Sequence, residues 1–152
     1  VLLCVSSSAQ LVLHNGMLVK SSISDSIYLV IDSTKRHVAN ITVFNGLFLP
    51  NAPVQTLEED QLNSIAQGVQ LSDACLVKAK RKPDVYLVID GVKRHVSKEN
   101  VFKHYHFDWA KVKQMKRKDL NCIPSGSQIV STQFFVEVIP KYEEPLPCGV
   151  KD

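Results

Sequence analysis

An eleven-residue stretch occurs twice in this chain, and it limits the available folds more than any other feature. The first copy, YLVIDSTKRHV, occupies 28–38. The second, YLVIDGVKRHV, occupies 86–96, lies 58 residues later and is identical at nine positions. The register holds without a gap well beyond the stretch. Leu18-Val19-Lys20 falls on Leu76-Val77-Lys78, Val43-Phe44 on Val101-Phe102, and Val54 on Val112. Leu62-Asn63 falls on Leu120-Asn121, Ile65 on Ile123 and Gly68 on Gly126. Recurrence at a fixed period within one molecule reads as duplication of one supersecondary unit. The first unit is taken as 17–74 and the second as 75–132. A strand segment at 1–16 precedes them, and a strand with a Pro- and Glu-rich tail at 133–152 follows.

Each unit reads in the same order: a short strand (17–20 or 74–78), a polar link, the hairpin, a helix, a third apolar segment (54–57 or 112–115) and a closing glycine. Asp90-Gly91 signals a two-residue turn, because both residues tolerate positive φ. Asp32-Ser33 is the poorer pair and leaves room for a longer turn. With the turn at Asp90-Gly91, Ile89 lies opposite Val92, Leu87 opposite Arg94 and Val85 opposite Val96 on one face. Tyr86 with His95 and Val88 with Lys93 form the other. The first copy repeats this with Ile27, Leu29, Ile31, Arg36 and Val38 against Tyr28, Val30, Lys35 and His37.

The first face is expected to pack on the following helix, which starts near the N-cap residues Asn40 or Ser97. That helix carries Phe44 in one unit and Val101, Phe102 and Tyr105 in the other. Asn45-Gly46 is expected to cut it short in the first unit. Thr56 and Glu59 predict a capping box for a short helical turn ending near Ile65. The fold class that follows is α+β: two tandem β-hairpin-plus-short-helix units of 58 residues with apolar N- and C-terminal strands. Chain entropy offsets most of what a lone unit of this size buries, which leaves it marginal, so the two are expected to pack on each other.

The run LVK…VYLVIDGVKRHV…NVF…FDW…L-x-x-IP-x-G resembles a short tandem repeat of surface and secreted proteins, chiefly bacterial. The second unit matches nearly throughout, with Phe107-Asp108-Trp109, Leu120, Ile123-Pro124 and Gly126. The first unit has Asn51 in place of the Trp and Ala66 in place of the Pro. The resemblance covers about three quarters of the chain. It implies an extracellular accessory module, with no catalytic site and no particular ligand to carry over.

Other features lean the same way. Four widely spaced cysteines, Cys4, Cys75, Cys122 and Cys148, show no zinc-binding spacing and fit a disulfide framework. Three pairings exist. We expect Cys75 with Cys122, and Cys4 with Cys148 tying the termini; four free thiols is the competing reading. Asn40-Ile41-Thr42 is the single glycosylation sequon, at Asn40. The opening VLLCVSSSAQ reads either as strands of the mature fold at 1–5 and 11–13, or as the tail of a secretory signal cleaved within 1–9. No apolar run approaches the ~18 residues of a membrane span.

The recurrent Tyr–His and Val–Lys ladder sets the first candidate ligand-binding group: Tyr28, Lys35, His37, Tyr86, Lys93 and His95. Arg36 and Arg94, projecting among aliphatics, are expected to find carboxylate or carbonyl partners instead. Histidines 95, 104 and 106 raise the question of metal. The first unit carries Gly46 and Phe48 where the second has His104 and His106, so no metal site is assigned. No nucleophile motif, zinc-hydrolase motif or phosphate loop is present, so no catalytic residue and no cofactor is assigned.

Charge separates the copies. Residues 17–74 hold three Lys/Arg against six Asp/Glu, net −3, and residues 75–132 hold thirteen against five, net +8. The second candidate group is therefore Lys111, Lys113, Lys116, Arg117 and Lys118. Homologous halves of opposite sign suit head-to-tail self-association, in which the acidic unit of one copy meets the basic unit of the next. Apolar terminal strands offer a second route, strand addition to a neighbour's sheet. The alternative partner is an acidic glycan on the basic unit. Nucleic acid is not expected, because no aromatic platform interleaves the lysines.

Overall fold

A computed structural model describes residues 9–139. In chain order, β1 (Ala9–His14) precedes the first unit, which comprises β2 (Leu18–Ser21), β3 (Ile27–Ile31), β4 (Thr34–His37), α1 (Ile41–Leu47), β5 (Val54–Leu57), α2 (Glu59–Asn63) and β6 (Ala66–Gln67). The second comprises β7 (Cys75–Ala79), β8 (Val85–Ile89), β9 (Val92–Val96), α3 (Glu99–His104), β10 (Lys113–Met115) and α4 (Arg117–Asn121), and β11 (Gln133–Val138) closes the described chain. The fold is α+β. Elements of the first unit recur in the second at the same 58-residue offset, to within a residue or two at their ends, except β6, whose place is taken by an isolated bridge between Lys93 and Ser125.

The first unit's sheet has the order β5-β2-β3-β4-β6 and the second's β10-β7-β8-β9. In each, the hairpin lies beside the unit's opening strand, and the third apolar segment returns parallel on that strand's far side. Both hairpins close with two-residue turns: Ile31 pairs with Thr34, and Ile89 with Val92. The longer turn expected at Asp32-Ser33 does not form. Both of its residues take positive φ, 55° and 61°, like Asp90 and Gly91 at 55° and 79°. Asn15 Oδ1 accepts the Ser33 N–H at 2.7 Å, which helps to hold a backbone that serine disfavours.

Three further local expectations are corrected. Asn45-Gly46 does not truncate the first helix: α1 has seven residues and α3 six. Burial of Val43, Phe44 and Leu47 outweighs the ~1 kcal/mol that glycine costs a helix. The capping box of α2 is formed by Glu58 and Gln61, not by Thr56 and Glu59. Asn40 caps α1, accepting the Val43 N–H at 3.1 Å, whereas α3 is capped by Lys98 rather than Ser97 and has no side-chain cap bond.

The Leu29/Ile31 face of one hairpin and the Leu87/Ile89 face of the other share one core with Phe44, Phe48, Phe102, Tyr105 and Phe107. Where the chain leaves α1 and α3 the two units bond directly: the Leu49 N–H donates to His106 O and the Asp108 N–H to Leu47 O, both at 2.9 Å. The other sheet faces are covered separately. In the first unit Val19 and Val30 lie under Leu62 and Ile65, together with Leu11, Leu13, Phe134 and Val136 from β1 and β11. In the second unit Val77 and Ala79 lie under Leu120 of α4 alone, with Tyr86, Val88, Met115 and Ile123 partly buried around them. The layers therefore run from α2 and the terminal strands, through the first sheet, the shared core and the second sheet, to α4.

The terminal strands pair with each other. β1 and β11 form an antiparallel ribbon from Ala9 opposite Val138 to His14 opposite Gln133. The expected strands at 1–5, any signal remnant within 1–9, and the tail beyond 139 lie outside the described residues.

Candidate functional site

The duplicated residues divide into those that join the units and those left on the surface. Arg36 donates through Nη1 and Nη2 to both carboxylate oxygens of Asp90, at 2.9 and 2.7 Å. Arg94 does the same to Asp32, at 2.6 and 2.8 Å. Each hairpin thus grips the turn of the other. The two Nε–H groups donate to backbone carbonyls, Arg36 to Val69 at 2.6 Å and Arg94 to Ser127 at 2.7 Å. The Arg36 guanidinium bonded to Asp90 holds that carboxyl below the usual carboxylate range, and the hydrogen bond from Arg94 to Asp32 raises the arginine. The closing glycines permit this. A Cβ on Gly68 would stand 2.9 Å from Arg36 Cγ, and one on Gly126 would stand 3.3 Å from Arg94 Cγ.

The ladder residues are placed on the opposite sheet faces. Lys35 is buried and donates to Leu62 O and Ile65 O at 2.7 and 3.0 Å, and burial pushes its ammonium below the usual lysine range. Lys93 is half-buried and repeats the bonds to Leu120 O and Ile123 O at 3.1 and 2.7 Å. Both lysines therefore clamp the short helices α2 and α4 to their hairpins. Each Nζ also stands 5.9 Å from the ring of Tyr28 or Tyr86. The rings of Tyr28 and His37 are 5.4 Å apart and those of Tyr86 and His95 5.2 Å, all four residues being half-buried. His95 Nε2 lies 3.4 Å from Asp84.

The second candidate group lies at the surface. Lys111, Lys113, Lys116, Arg117 and Lys118 are all exposed. Parallel pairing of β10 with β7, continued by the Lys80 N–H donating to Met115 O, sets the run Lys80-Arg81-Lys82 beside Lys116-Arg117-Lys118. Among the described residues none of these cations forms an ion pair with a carboxylate. Their counterparts at the start of α2 are Glu58, Glu59 and Asp60, three acids where α4 has three bases. Cations at the first turn of a helix oppose its dipole, so local stability does not account for the basic triad. Sequence reasoning assigned charge to whole units and missed this position-by-position inversion, although the 58-residue shift contains it.

A cleft recurs at the base of each hairpin. The first, of about 610 Å³, is lined by His37, Asn40, Ile41 and Phe44 among others. The second, of about 280 Å³, is lined by His95, Lys98, Phe102 and Trp109 among others. Trp109 stacks on Phe102 at 4.1 Å and stays 54 % exposed. Asn40, the sequon residue, is exposed at the rim of the first cleft.

The disulfide expectation is corrected. Cys75 and Cys122 are free thiols. Cys75 is half-buried in the apolar cluster against the second sheet, whereas Cys122 is the exposed C-cap of α4, so the two sulfurs occupy different environments. Cys4 and Cys148 lie outside the described residues. His14 and His104 rings stand 5.4 Å apart. His106, at φ 58°, is lowered by burial and then by these two neighbours. Among the described residues no group of three or more His, Cys, Asp or Glu side chains is placed to hold a metal ion. No helix there is long and apolar enough to cross a membrane.

Scanning family models and searching curated proteins finds nothing that matches this chain.

Proposed function

We propose that the chain is a non-enzymatic, secreted structural or adhesive repeat protein that self-associates head-to-tail into an extracellular fibre or matrix. The observation that carries this reading is the inversion of Glu58-Glu59-Asp60 into Lys116-Arg117-Lys118 on equivalent helices at opposite outer layers. A patch and its complement on opposite sides of one molecule make a heterologous contact, which adds copies head-to-tail and grows into an open fibre when its rotation does not close. The sequence resemblance to tandem surface repeats supports the extracellular setting. Terminal strand addition is not the favoured route, because β1 and β11 already pair with each other. Sedimentation velocity at low and high salt tests the proposal. Assembly at low ionic strength that is lost near 1 M salt, where the screening length shrinks to about 3 Å, is expected. A strict monomer at high concentration and low salt overturns it.

A second reading is an acidic polysaccharide held on the same basic surface, favoured by the convergence of the Lys80–Lys82 and Lys116–Lys118 runs. Retention on a heparin column that weakens when Lys111, Lys113, Lys116 and Lys118 are changed to Ser supports it. Unchanged elution rules that surface out.

A further inference from the structure

Internal equivalence reveals a face that is covered in one unit and open in the other. In the first unit Met17, Val30, Leu57 and Ile65 are all buried beneath α2 and the inward face of the β1–β11 ribbon. Their counterparts Cys75, Val88, Met115 and Ile123 are only half-buried, because α4 is present but no ribbon lies beside it. Lys35 and Lys93 differ in the same sense, buried against half-buried.

The ribbon has a second face. Leu11, Leu13, Phe134 and Val136 point inward, so the alternation turns Val12 and Phe135 outward. These two pair directly across the ribbon and are 48 % and 62 % exposed. Apolar residues placed opposite one another on a solvent face contribute little to the monomer and suit contact with another surface. Electrostatics agrees with this geometry. The ribbon shares its cluster with α2, which carries Glu58, Glu59 and Asp60, and Glu137 lies on the outward face. The open face shares its cluster with α4, which carries Lys116, Arg117 and Lys118.

We infer that the outward face of the β1–β11 ribbon of one copy docks on the open face of the second sheet of the next, around Cys75, Val88, Met115 and Ile123. The ribbon is then covered on both sides: its own first unit lies beneath it and a neighbour's second unit above. The acidic and basic triads flank the same contact. This inference rests on the self-association reading and supplies its surface.

The test uses the full chain and two variants that each lose one side of the contact. Val12→Lys with Phe135→Lys changes only exposed side chains, and Val88→Glu changes the open face. Each variant alone is expected to sediment as a monomer under conditions where the unaltered chain assembles, and an equimolar mixture is expected to form a heterodimer through the two intact sides. Because Val88→Glu alters a half-buried residue, a second measurement avoids substitution. Alkylation of Cys75 in the unaltered chain, followed by peptide mass spectrometry, is expected to slow several-fold on going from dilute, high-salt protein to assembled protein. If the chain assembles but the ribbon variant assembles equally and Cys75 alkylates at an unchanged rate, the surface is wrong while self-association stands. If the unaltered chain never assembles, both fall.

Discussion

Arg36 of the first hairpin holds Asp90, the turn residue of the second, in a two-pronged ion pair of 2.7 and 2.9 Å. The reciprocal pair, Arg94 with Asp32, makes the exchange symmetric. Arg and Asp therefore recur in both copies of the repeated stretch because each completes the other unit, not its own. Replacing Arg36 by Ala removes this pair and leaves Val69 O without its donor. A loss of about 2–3 kcal/mol is expected in denaturant unfolding. A double-mutant cycle with Asp90→Ala should return a coupling between about 0.5 and 2 kcal/mol, tempered because Asp90 is half-exposed. Zero coupling would remove the pair from the account of how the units are joined.

Acid should weaken the same junction. A carboxylate whose folded value is lowered, as Arg36 lowers Asp90, contributes stability that is present above the unfolded carboxylate range and lost as pH falls through the folded value. Thermal stability is expected to decline below about pH 4, the ordinary carboxylate range. Asp90→Asn should be less stable than the parent at neutral pH and should show a shallower decline.

Three glycines should respond in opposite ways to alanine. At Gly68 a Cβ would stand 2.8 Å from Thr34 Oγ1, and at Gly126 2.8 Å from Val92 Cγ2, so each substitution should cost about 1–3 kcal/mol through forced displacement. Gly46 lies inside α1 with nothing within 4 Å of its Cβ position, so alanine there should stabilise by about 1 kcal/mol. Melting temperatures of the three variants check the order.

Ser33→Gly should stabilise the chain. Ser33 sits at φ 61°, which glycine adopts freely, and its bond to Asn15 is made by the backbone N–H, which the substitution keeps. A gain of about 0.5–1 kcal/mol is expected, reduced from the full left-handed penalty by the extra freedom of glycine in the unfolded chain. Gly91→Ser, the reverse change in the other turn, should lose a similar amount.

Two thiols should react at different rates. Cys122 is exposed and Cys75 half-buried, so peptide-resolved alkylation of dilute native protein should label Cys122 first and recover both as free thiols. Recovery of a Cys75–Cys122 disulfide peptide would reinstate the pairing that the structure overturns.

The sequence alone determined the period, the two-faced hairpins and the α+β class. These depend on local alternation and on comparing the chain with itself at an offset of 58 residues, and the same pattern placed Leu29 and Leu87 with Arg36 and Arg94 on one face. Only the tertiary structure decided which carboxylates the arginines meet, because Asp90 and Asp32 stand 54 and 62 residues from their partners. It also assigned Lys35 and Lys93 to helix carbonyls, paired the terminal strands with each other and left Cys75 and Cys122 unbonded. Periodicity tells which side of a strand a residue occupies. What covers that side depends on distant segments, and so the same Val that is buried at position 30 is half-open at position 88.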